Sequence, residues 1–355
     1  MRWDLYCRVV DNFGDAGVAW RLAADLAGRG ESVRLAIDDP RPLAWMAPGG
    51  AAGVEVGPWE AAGGSPPDVL VELFGAGLPE PAKEAAAGAT PPTLVVNLEH
   101  LSAESYVERS HGLPSPRVLS SGRTLTTWFY FPGFTACTGG LLREADLLAR
   151  RSAFDAEAWL ASQGLRTRDG ERRVSLFCYP NEAIGALLQS LADEPTLLLL
   201  TPGPAADQVA DRLGSEMALG RLRAARLQAL SQLDFDHLLW SCAINFVRGE
   251  DSLVRALWAG APFVWQLYPQ TDGAHAAKLD AFLDLFLAGA DPHLARSLRT
   301  LFARWNGIGA STAPLELPDA ALDFAWLRHC HAWRDELASR PDLVTSLMEF
   351  AASKR

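Results

Sequence analysis

Two aspartates, Asp11 and Asp15, lie four residues apart in a glycine-containing segment near the start of the chain. They follow an apolar, β-prone run that begins at Trp3, and Gly14 lies between them. A glycine here lets backbone N–H groups approach a ligand at the start of a helix, where an anion or oxygen atom is favoured. Together the two carboxylates can bind a cationic group or take a proton from a nucleophile. Taken singly, Asp15 is typical of a helix cap and Asp11 of a turn.

The same segment also partly matches a dinucleotide-binding loop. Asp38 ends the next apolar run at about the distance expected for a ribose-binding acid, but the first glycine of G-x-G-x-x-G is missing. Asp11 and Asp15 would also place negative charge where a pyrophosphate would lie. The residues therefore argue against NAD binding.

A second segment with candidate chemistry runs from Arg248 to Pro262. An apolar strand ends before Arg248 and Gly249, a helix is predicted from about residue 250, and Gly260-x-Pro262 ends it. Nucleotide-sugar glycosyltransferases of the GT-B fold carry a similar unit. Its helix N-terminus favours a donor diphosphate, and Ser252 can add a hydroxyl donor. The alternative is a capped helix with a purely structural role.

Aromatic and amide side chains lie near the ends of other predicted elements in the second half. Phe177 and Tyr179 come at the end of a predicted strand, where they can stack on a base or pack in the interior. Gln232 and Phe235 open a predicted helix and are similarly placed for hydrogen bonding and stacking. These four residues are candidates for contacts with a nucleobase.

Two patterns that suggest a metal have simpler explanations. Asp234 and Asp236 match a D-x-D motif, but they open a helix, where acidic residues are expected. Cys330 lies between His329 and His331 in a predicted helix, and such neighbours face different ways. We therefore predict no bound metal.

The elements that must position these residues alternate between strand and helix. In the first half, apolar strands are predicted at 3–10, 32–37, 69–74 and 93–98. The pattern restarts with strands at 173–179, 196–201, 222–227, 243–246 and 262–265, and helices are predicted at 181–192, 204–214, 231–240, 250–259 and 272–288. This alternation predicts an α/β protein with two Rossmann-like halves.

A polar stretch at residues 166–173 is the predicted domain boundary. The predicted domains are 1–165 and 166–334, with helices at about 335–355 rejoining the first domain. Ligands bind such sheets outside the carboxyl ends of the strands, so we expect a cleft between two facing sheets.

Composition limits the function further. The 355 residues carry 32 basic and 43 acidic side chains, a net charge of −11, which argues against a nucleic-acid backbone as partner. No run approaches the ~20 apolar residues of a membrane span, and the N-terminus lacks a signal-peptide core. Five scattered cysteines argue against a disulfide framework. We expect a cytoplasmic protein that binds neither nucleic acid nor membrane.

Two segments resemble the EarP family of bacterial elongation factor P arginine rhamnosyltransferases. The first reads Trp3-Asp4-x-Tyr6-Cys7-Arg8-Val9-Val10-Asp11-Asn12-Phe13-Gly14-Asp15-x-Gly17. The second reads Phe246-Val247-Arg248-Gly249-Glu250-Asp251-Ser252-x-Val254-Arg255-Ala256-x-Trp258-Ala259-Gly260-x-Pro262-Phe263-Val264-Trp265-Gln266-x-Tyr268-Pro269-Gln270. The likeness includes Phe177-Cys178-Tyr179, and the departures are Phe13, where tyrosine is common, and Leu253, where phenylalanine is expected.

This resemblance implies a GT-B fold and an inverting, metal-independent transfer of L-rhamnose. The donor would be dTDP-β-L-rhamnose and the acceptor one arginine of elongation factor P, with no further cofactor. Asp11 and Asp15 would be the acceptor-side carboxylates, with Asp15 favoured as proton acceptor, and Glu250 would assist. The implied donor site comprises Gly14, Phe177, Tyr179, Gln232, Phe235, Arg248, Glu250, Asp251, Ser252 and Tyr268.

Two other functions fit the same residues. One is a GT-B glycosyltransferase or nucleotide-sugar epimerase that acts on a small molecule, which an acceptor assay would distinguish. The other is a non-catalytic module that binds an arginine-bearing partner through the acidic loop, which turnover of a dTDP-sugar would exclude.

Overall fold

The computed structural model describes residues 1–11, 13–60, 65–269, 273–309 and 315–354. Asn12 and Gln270 of the quoted motifs, and residue 272 of a predicted helix, lie outside these ranges.

The strands are β1 (Arg2–Cys7), β2 (Ser32–Ile37), β3 (Val54–Pro58), β4 (Val69–Leu73), β5 (Leu94–Leu98), β6 (Pro114–Val118), β7 (Thr124–Tyr130), β8 (Arg172–Leu176), β9 (Thr196–Leu200), β10 (Ala218–Leu219), β11 (Leu222–Arg226), β12 (Ile244–Arg248) and β13 (Phe263–Gln266).

The helices lie between these strands and after them. They are α1 (Gly14–Gly28), α2 (Leu43–Met46), α3 (Glu80–Gly88), α4 (Ser105–Ser110), α5 (Leu147–Ser152), α6 (Ala156–Ser162), α7 (Ile184–Leu191), α8 (Pro204–Leu213), α9 (Gln232–Ser241), α10 (Gly249–Ala259), α11 (Ala274–Phe286), α12 (Pro292–Trp305), α13 (Ala320–Ala338) and α14 (Leu343–Ser353). The chain divides into two compact units, of which unit 1 is Met1–Glu144 with Leu337–Arg355 and unit 2 is Ala145–Glu336.

The boundary between the two units lies at residues 144/145, earlier in the chain than the boundary predicted at residues 165/166. The reason is that α6 packs within unit 2, where Trp159 and Leu160 share a core with Leu238 of α9. The indole Nε1 of Trp159 also donates a hydrogen bond to Asp234, at 3.1 Å. Both contacts hold α6 in unit 2, and the polar stretch that follows this helix is a loop inside that unit that leads into β8.

Unit 1 contains a seven-stranded sheet of order β3-β2-β1-β4-β5-β7-β6, in which β6 is antiparallel to β7. Side chains alternate across it, so Leu5 and Val71 lie in the core under α1, while Tyr6 and Leu70 lie in the opposite core. The C-terminal helix α14 adds Leu347 to the first of these cores. The chain end thus completes the hydrophobic core of the unit that contains Asp11 and Asp15.

Unit 2 repeats the arrangement with a six-stranded sheet of order β10-β11-β9-β8-β12-β13. The chain runs from the first strand of each unit outward to one side and then crosses to the other, between β1 and β4 and between β8 and β12. Ligands of doubly wound sheets bind at this switch point, beyond the carboxyl ends of the strands. The predicted α/β class with two Rossmann-like halves is confirmed, and each half has its own switch point.

No helix in the described part of the chain is long and apolar enough to cross a membrane.

Candidate functional site

Asp15 lies at the switch point of unit 1, in the first turn of α1. This helix begins at Gly14, so Asp15 belongs to the helix and not to the loop that precedes it. Its Oδ2 accepts hydrogen bonds from the backbone N–H groups of Val10 (2.8 Å) and Asp11 (2.9 Å). The carboxylate therefore holds the loop that precedes the helix.

Asp15 is not the helix cap, because the N-cap residue is Phe13, which makes no side-chain capping bond. The Asp15 side chain is 8% exposed, and this burial raises its pKa. The two backbone hydrogen bonds and the nearby charge of His100 act in the opposite direction, while Asp11 adds to the rise. Asp15 is thus a carboxyl with raised proton affinity at a sheet edge suited to ligands.

Asp11 and Gly14 are close neighbours in the same turn. The N–H of Gly14 donates to the backbone carbonyl of Asp11, at 2.7 Å. A β-carbon at position 14 would lie only 3.0 Å from Oδ2 of Asp11. Glycine at this position therefore leaves room for the Asp11 carboxylate beside the start of α1, and the predicted contact of Gly14 with a donor stays a prediction.

The structure adds residues at this edge that the sequence analysis missed. Glu99 follows β5 and accepts a hydrogen bond from Nδ2 of Asn97, at 2.7 Å. Burial raises the pKa of Glu99, whereas the charge of His100 lowers it. His100 stacks on Phe74 at 4.6 Å between ring centroids, and Phe74 has a left-handed backbone, with φ of 60°. The signal in the sequence was a pair of polar residues, Glu99 and His100, directly after an apolar strand.

Phe177 and Tyr179 lie at the switch point of unit 2, just beyond β8. The N–H of Phe177 bonds to the carbonyl of Phe246 in β12, at 2.9 Å. The N–H of Tyr179 donates to Oε1 of Gln266, the last residue of β13, also at 2.9 Å. These bonds tie the segment after β8 to β12 and β13.

Gln232 and Phe235 occupy the first turn of α9, as predicted. Ser231 caps this helix by accepting a hydrogen bond from the N–H of Asp234, at 3.1 Å. Phe235 meets Phe177 edge to face, with 5.3 Å between ring centroids, and Gln232 is buried. The structure therefore brings Phe177 and Phe235 together, and Gln232 lies one turn from the pair.

The two aspartates of the D-x-D pattern have separate structural partners. Asp234 accepts hydrogen bonds from Ser231 Oγ at 2.7 Å and from Trp159 Nε1 at 3.1 Å. Asp236 forms a two-pronged ion pair with Arg255 of α10, at 2.7 and 2.5 Å. Within the described ranges, no group of three or more His, Cys, Asp or Glu side chains could hold a metal ion.

Arg248 and Ser252 form the turn from β12 into α10. Ser252 Oγ accepts from the N–H of Arg248 at 3.0 Å and donates to the Arg248 carbonyl. Gly249 between them has φ of 65°, a backbone conformation that favours glycine. The hydroxyl of Ser252 thus stabilises the turn in this structure, and its predicted contact with a diphosphate stays a prediction.

The Arg248 side chain lies on aromatic rings. Its guanidinium carbon is 4.6 Å from the ring centroid of Phe177 and 4.4 Å from that of Tyr179. The thiol of Cys178 is close enough to Arg248 to feel its charge. Burial raises the pKa of this thiol to about 12, and the charge of Arg248 opposes the rise. The candidate donor residues from β8 and β12 are therefore in direct contact.

Glu250 and Asp251 follow in the first turn of α10, where negative charge is favoured by the helix dipole. Glu250 forms an ion pair with Lys278 of α11, at 3.1 Å. This pair fixes the Glu250 carboxylate beside the turn. The predicted assisting role of Glu250 and the predicted donor contact of Asp251 stay predictions.

Tyr268 lies beyond β13 and is 60% exposed. Its ring meets Tyr179 edge to face at 5.3 Å. Asn306, at the end of α12, accepts from the N–H of Leu267 at 2.8 Å and donates to the carbonyl of Trp265 at 2.8 Å. Asn306 thereby positions the segment that carries Tyr268, and the sequence analysis predicted neither this residue nor α12.

Comparison with solved structures identifies the class of the fold. The spinosyn rhamnosyltransferase SpnG, solved with thymidine diphosphate, aligns with a TM-score of 0.51 at 14% identity, covering 98% of this chain and 99% of that one. MurG of Acinetobacter baumannii also aligns at 0.51, with 11% identity over 100% of this chain and 99% of that one. With two Rossmann-like units, each with candidate ligand residues at its switch point, the chain has the GT-B fold.

The family follows from closer matches. The chain belongs to the EarP family, described as elongation factor P (EF-P) rhamnosyltransferases, whose model matches residues 3–352. A protein-arginine rhamnosyltransferase of Pseudomonas aeruginosa is 42% identical over 99% of this chain and 98% of its own length. A solved structure concerning EarP-mediated arginine glycosylation of elongation factor EF-P aligns with a TM-score of 0.69 at 31% identity, covering 100% and 99% of the two chains.

Proposed function

We propose that this chain transfers L-rhamnose from dTDP-β-L-rhamnose to one arginine side chain of elongation factor P, with inversion and without a metal. Family membership over residues 3–352 supports the proposal. The position of the two family motifs in the fold supports the proposal at the level of individual residues. Asp15 follows β1 and Arg248 ends β12, and both therefore lie at the switch points of their sheets.

In this proposal unit 1 receives the acceptor arginine. A guanidinium is protonated at neutral pH and is a poor nucleophile, so it needs a partner that takes a proton. Asp11 and Asp15 hold the group through charge-assisted hydrogen bonds, and Asp15 accepts the proton as the new bond forms. The hydrogen bonds that described residues donate to the Asp15 carboxylate, from the N–H groups of Val10 and Asp11, are both accepted by Oδ2. In this proposal Oδ1 accepts from the substrate nitrogen.

Unit 2 binds the donor in this proposal. The guanidine nitrogen attacks the anomeric carbon of rhamnose, and the bond from that carbon to the diphosphate oxygen breaks, leaving its electron pair on dTDP. The start of α10 and the cation of Arg248 stabilise the charge that develops on the diphosphate. The start of α10 and Arg248 thereby take the place of a metal. Phe177 and Phe235 contact the base.

The direct test is intact-mass spectrometry of elongation factor P incubated with this protein and dTDP-β-L-rhamnose. We expect the mass of elongation factor P to increase by one deoxyhexose residue, located on a single arginine by peptide fragmentation. EDTA should leave the rate unchanged. A matched substrate in which that arginine is replaced by lysine should gain no mass.

Each other outcome contradicts a defined part of the proposal. An unchanged mass with folded proteins would refute the acceptor, and donor turnover with a small acceptor would then favour the alternative glycosyltransferase. Tight dTDP binding without any turnover would favour the binding module. Loss of rate in EDTA that is restored by Mg²⁺ or Mn²⁺ would contradict the metal-free mechanism.

Removing either aromatic ring from the candidate base site should weaken donor binding. Phe177→Ala and Phe235→Ala are each expected to cost about 1–3 kcal/mol of dTDP binding free energy, because base stacking is lost. Calorimetric titration with dTDP measures the change. Phe324→Ala, on the exposed face of α13, is the control and should bind dTDP like the wild type. Wild-type affinity in both test variants would assign the rings to packing alone.

A further inference from the structure

The cation of Arg248 rests on the ring of Phe177, which the proposed function assigns to the nucleobase, and on the ring of Tyr179. Its guanidinium carbon lies within 4.6 Å of the Phe177 centroid and 4.4 Å of the Tyr179 centroid. Such distances are those of cation–π contacts, which stabilise a guanidinium placed over an aromatic face. A base that stacks on these faces would have to displace the guanidinium.

The Arg248 guanidinium has no carboxylate to balance its charge among the residues that the structure describes. Glu250, two residues further on, is in an ion pair with Lys278 at 3.1 Å. Arg248 is half-buried, so its charge is only partly solvated and gains from an anionic partner. The nearby start of α10 favours an anion as well.

We propose that Arg248 determines the specificity of this site for nucleoside diphosphates over nucleosides. A nucleoside must displace the guanidinium from the rings and offers nothing in return. A nucleoside diphosphate also displaces it, but its phosphate oxygens accept the hydrogen bonds of the displaced cation. Arg248 thereby couples recognition of the base to the presence of the diphosphate, an inference that rests on the donor site proposed above.

The inference predicts opposite effects of one substitution on two ligands. Arg248→Ala uncovers the rings, so the affinity for thymidine should rise about three- to tenfold. The same change removes the cation that meets the diphosphate, so the affinity for dTDP should fall at least about tenfold. A residue that only binds phosphate would leave thymidine unaffected.

Two further variants make the comparison specific. Arg248→Lys keeps a positive charge but lacks the planar group that lies on the rings. It should bind thymidine more tightly than the wild type and lose less dTDP affinity than Arg248→Ala. Arg299→Ala is the matched control, because Arg299 lies in α12 and forms an exposed ion pair with Asp284. Both of its affinities should equal those of the wild type.

The experiment is calorimetric titration with dTDP and NMR titration with thymidine up to millimolar concentration, with melting temperatures for every variant. Opposite shifts for the two ligands in Arg248→Ala support the inference. Weaker dTDP binding with unchanged or weaker thymidine binding overturns it and leaves the donor site intact. If neither Arg248→Ala nor Phe177→Ala changes dTDP affinity, the proposed donor site itself is wrong. Should Arg248→Ala fail to fold, the thymidine affinity of Arg248→Lys decides.

Discussion

Asp15→Asn is expected to lower the single-turnover rate of rhamnosyl transfer by at least about 10²-fold at saturating donor. Asparagine keeps the shape of the side chain and an oxygen that can accept from the N–H groups of Val10 and Asp11. It cannot accept a proton from the substrate guanidinium. Affinity for dTDP should change little, because the diphosphate is assigned to unit 2.

Asp38→Asn is a matched control for this prediction. Its carboxylate also holds the loop after β1, through a 2.9 Å hydrogen bond from the N–H of Val9, but no proton transfer is assigned to it. This variant should keep the wild-type rate within a few-fold. If Asp15→Asn also retains its rate and melting temperature, Asp15 serves only to hold the loop, and the proton acceptor is another group.

The pH dependence of the reaction provides a second readout for Asp15. Burial raises the pKa of Asp15 above the ordinary value for an aspartate, and only the ionised form can take the proton. The rate of the wild type should therefore fall as the pH drops through this raised pKa, at a higher pH than an exposed aspartate would give. Asp15→Asn should lose this acidic limb, whereas Asp38→Asn should keep it.

The fold class could be predicted because the strands of parallel sheets are buried on both faces. Residues 32–37 and 93–98, for example, are nearly continuous apolar runs, and they appear as β2 and β5. Candidate residues were found where these runs end in glycine and charged residues, as at Gly14 and Gly249. The physical link is that the carboxyl ends of parallel strands meet at one edge of the sheet.

Other features depend on contacts that a local pattern does not contain. The change between units at Glu144 depends on the packing of Trp159 against α9, which is distant in sequence. The role of Ser252 depends on how the turn before α10 folds back on itself. The role of Arg248 depends on two aromatic rings that follow another strand, β8. The pKa of Glu99 is raised by burial and by the charge of Glu72, against the opposing hydrogen bond from Asn97, and none of these contacts is visible in a local pattern.

A buried ion pair joins the two helices that carry half of the candidate donor residues. Asp236 of α9 and Arg255 of α10 are 2% and 1% exposed. The first turns of these helices hold Phe235 and Ser252. The pair therefore fixes α9 against α10, and with them the aromatic and diphosphate parts of the candidate donor site.

Asp236→Ala is expected to lower the free energy of unfolding by about 3–5 kcal/mol, because it removes the carboxylate that balances the buried charge of the Arg255 guanidinium. Urea denaturation at constant m-value measures the loss. The double replacement Asp236→Leu with Arg255→Met removes both charges and should recover most of it. Asp284→Ala breaks the exposed pair with Arg299 and should cost no more than about 1 kcal/mol.

The same variant separates a structural from a metal-binding role for the D-x-D pattern. If Asp236 serves the ion pair, the wild type should gain no stability from Mn²⁺, and Asp236→Ala should be destabilised equally with and without the ion. If it were a metal ligand, Mn²⁺ would raise the melting temperature of the wild type, and Asp236→Ala would lose that rise while keeping most of its stability. The two-pronged contact with Arg255 favours the first result, since it uses both oxygens of the Asp236 carboxylate.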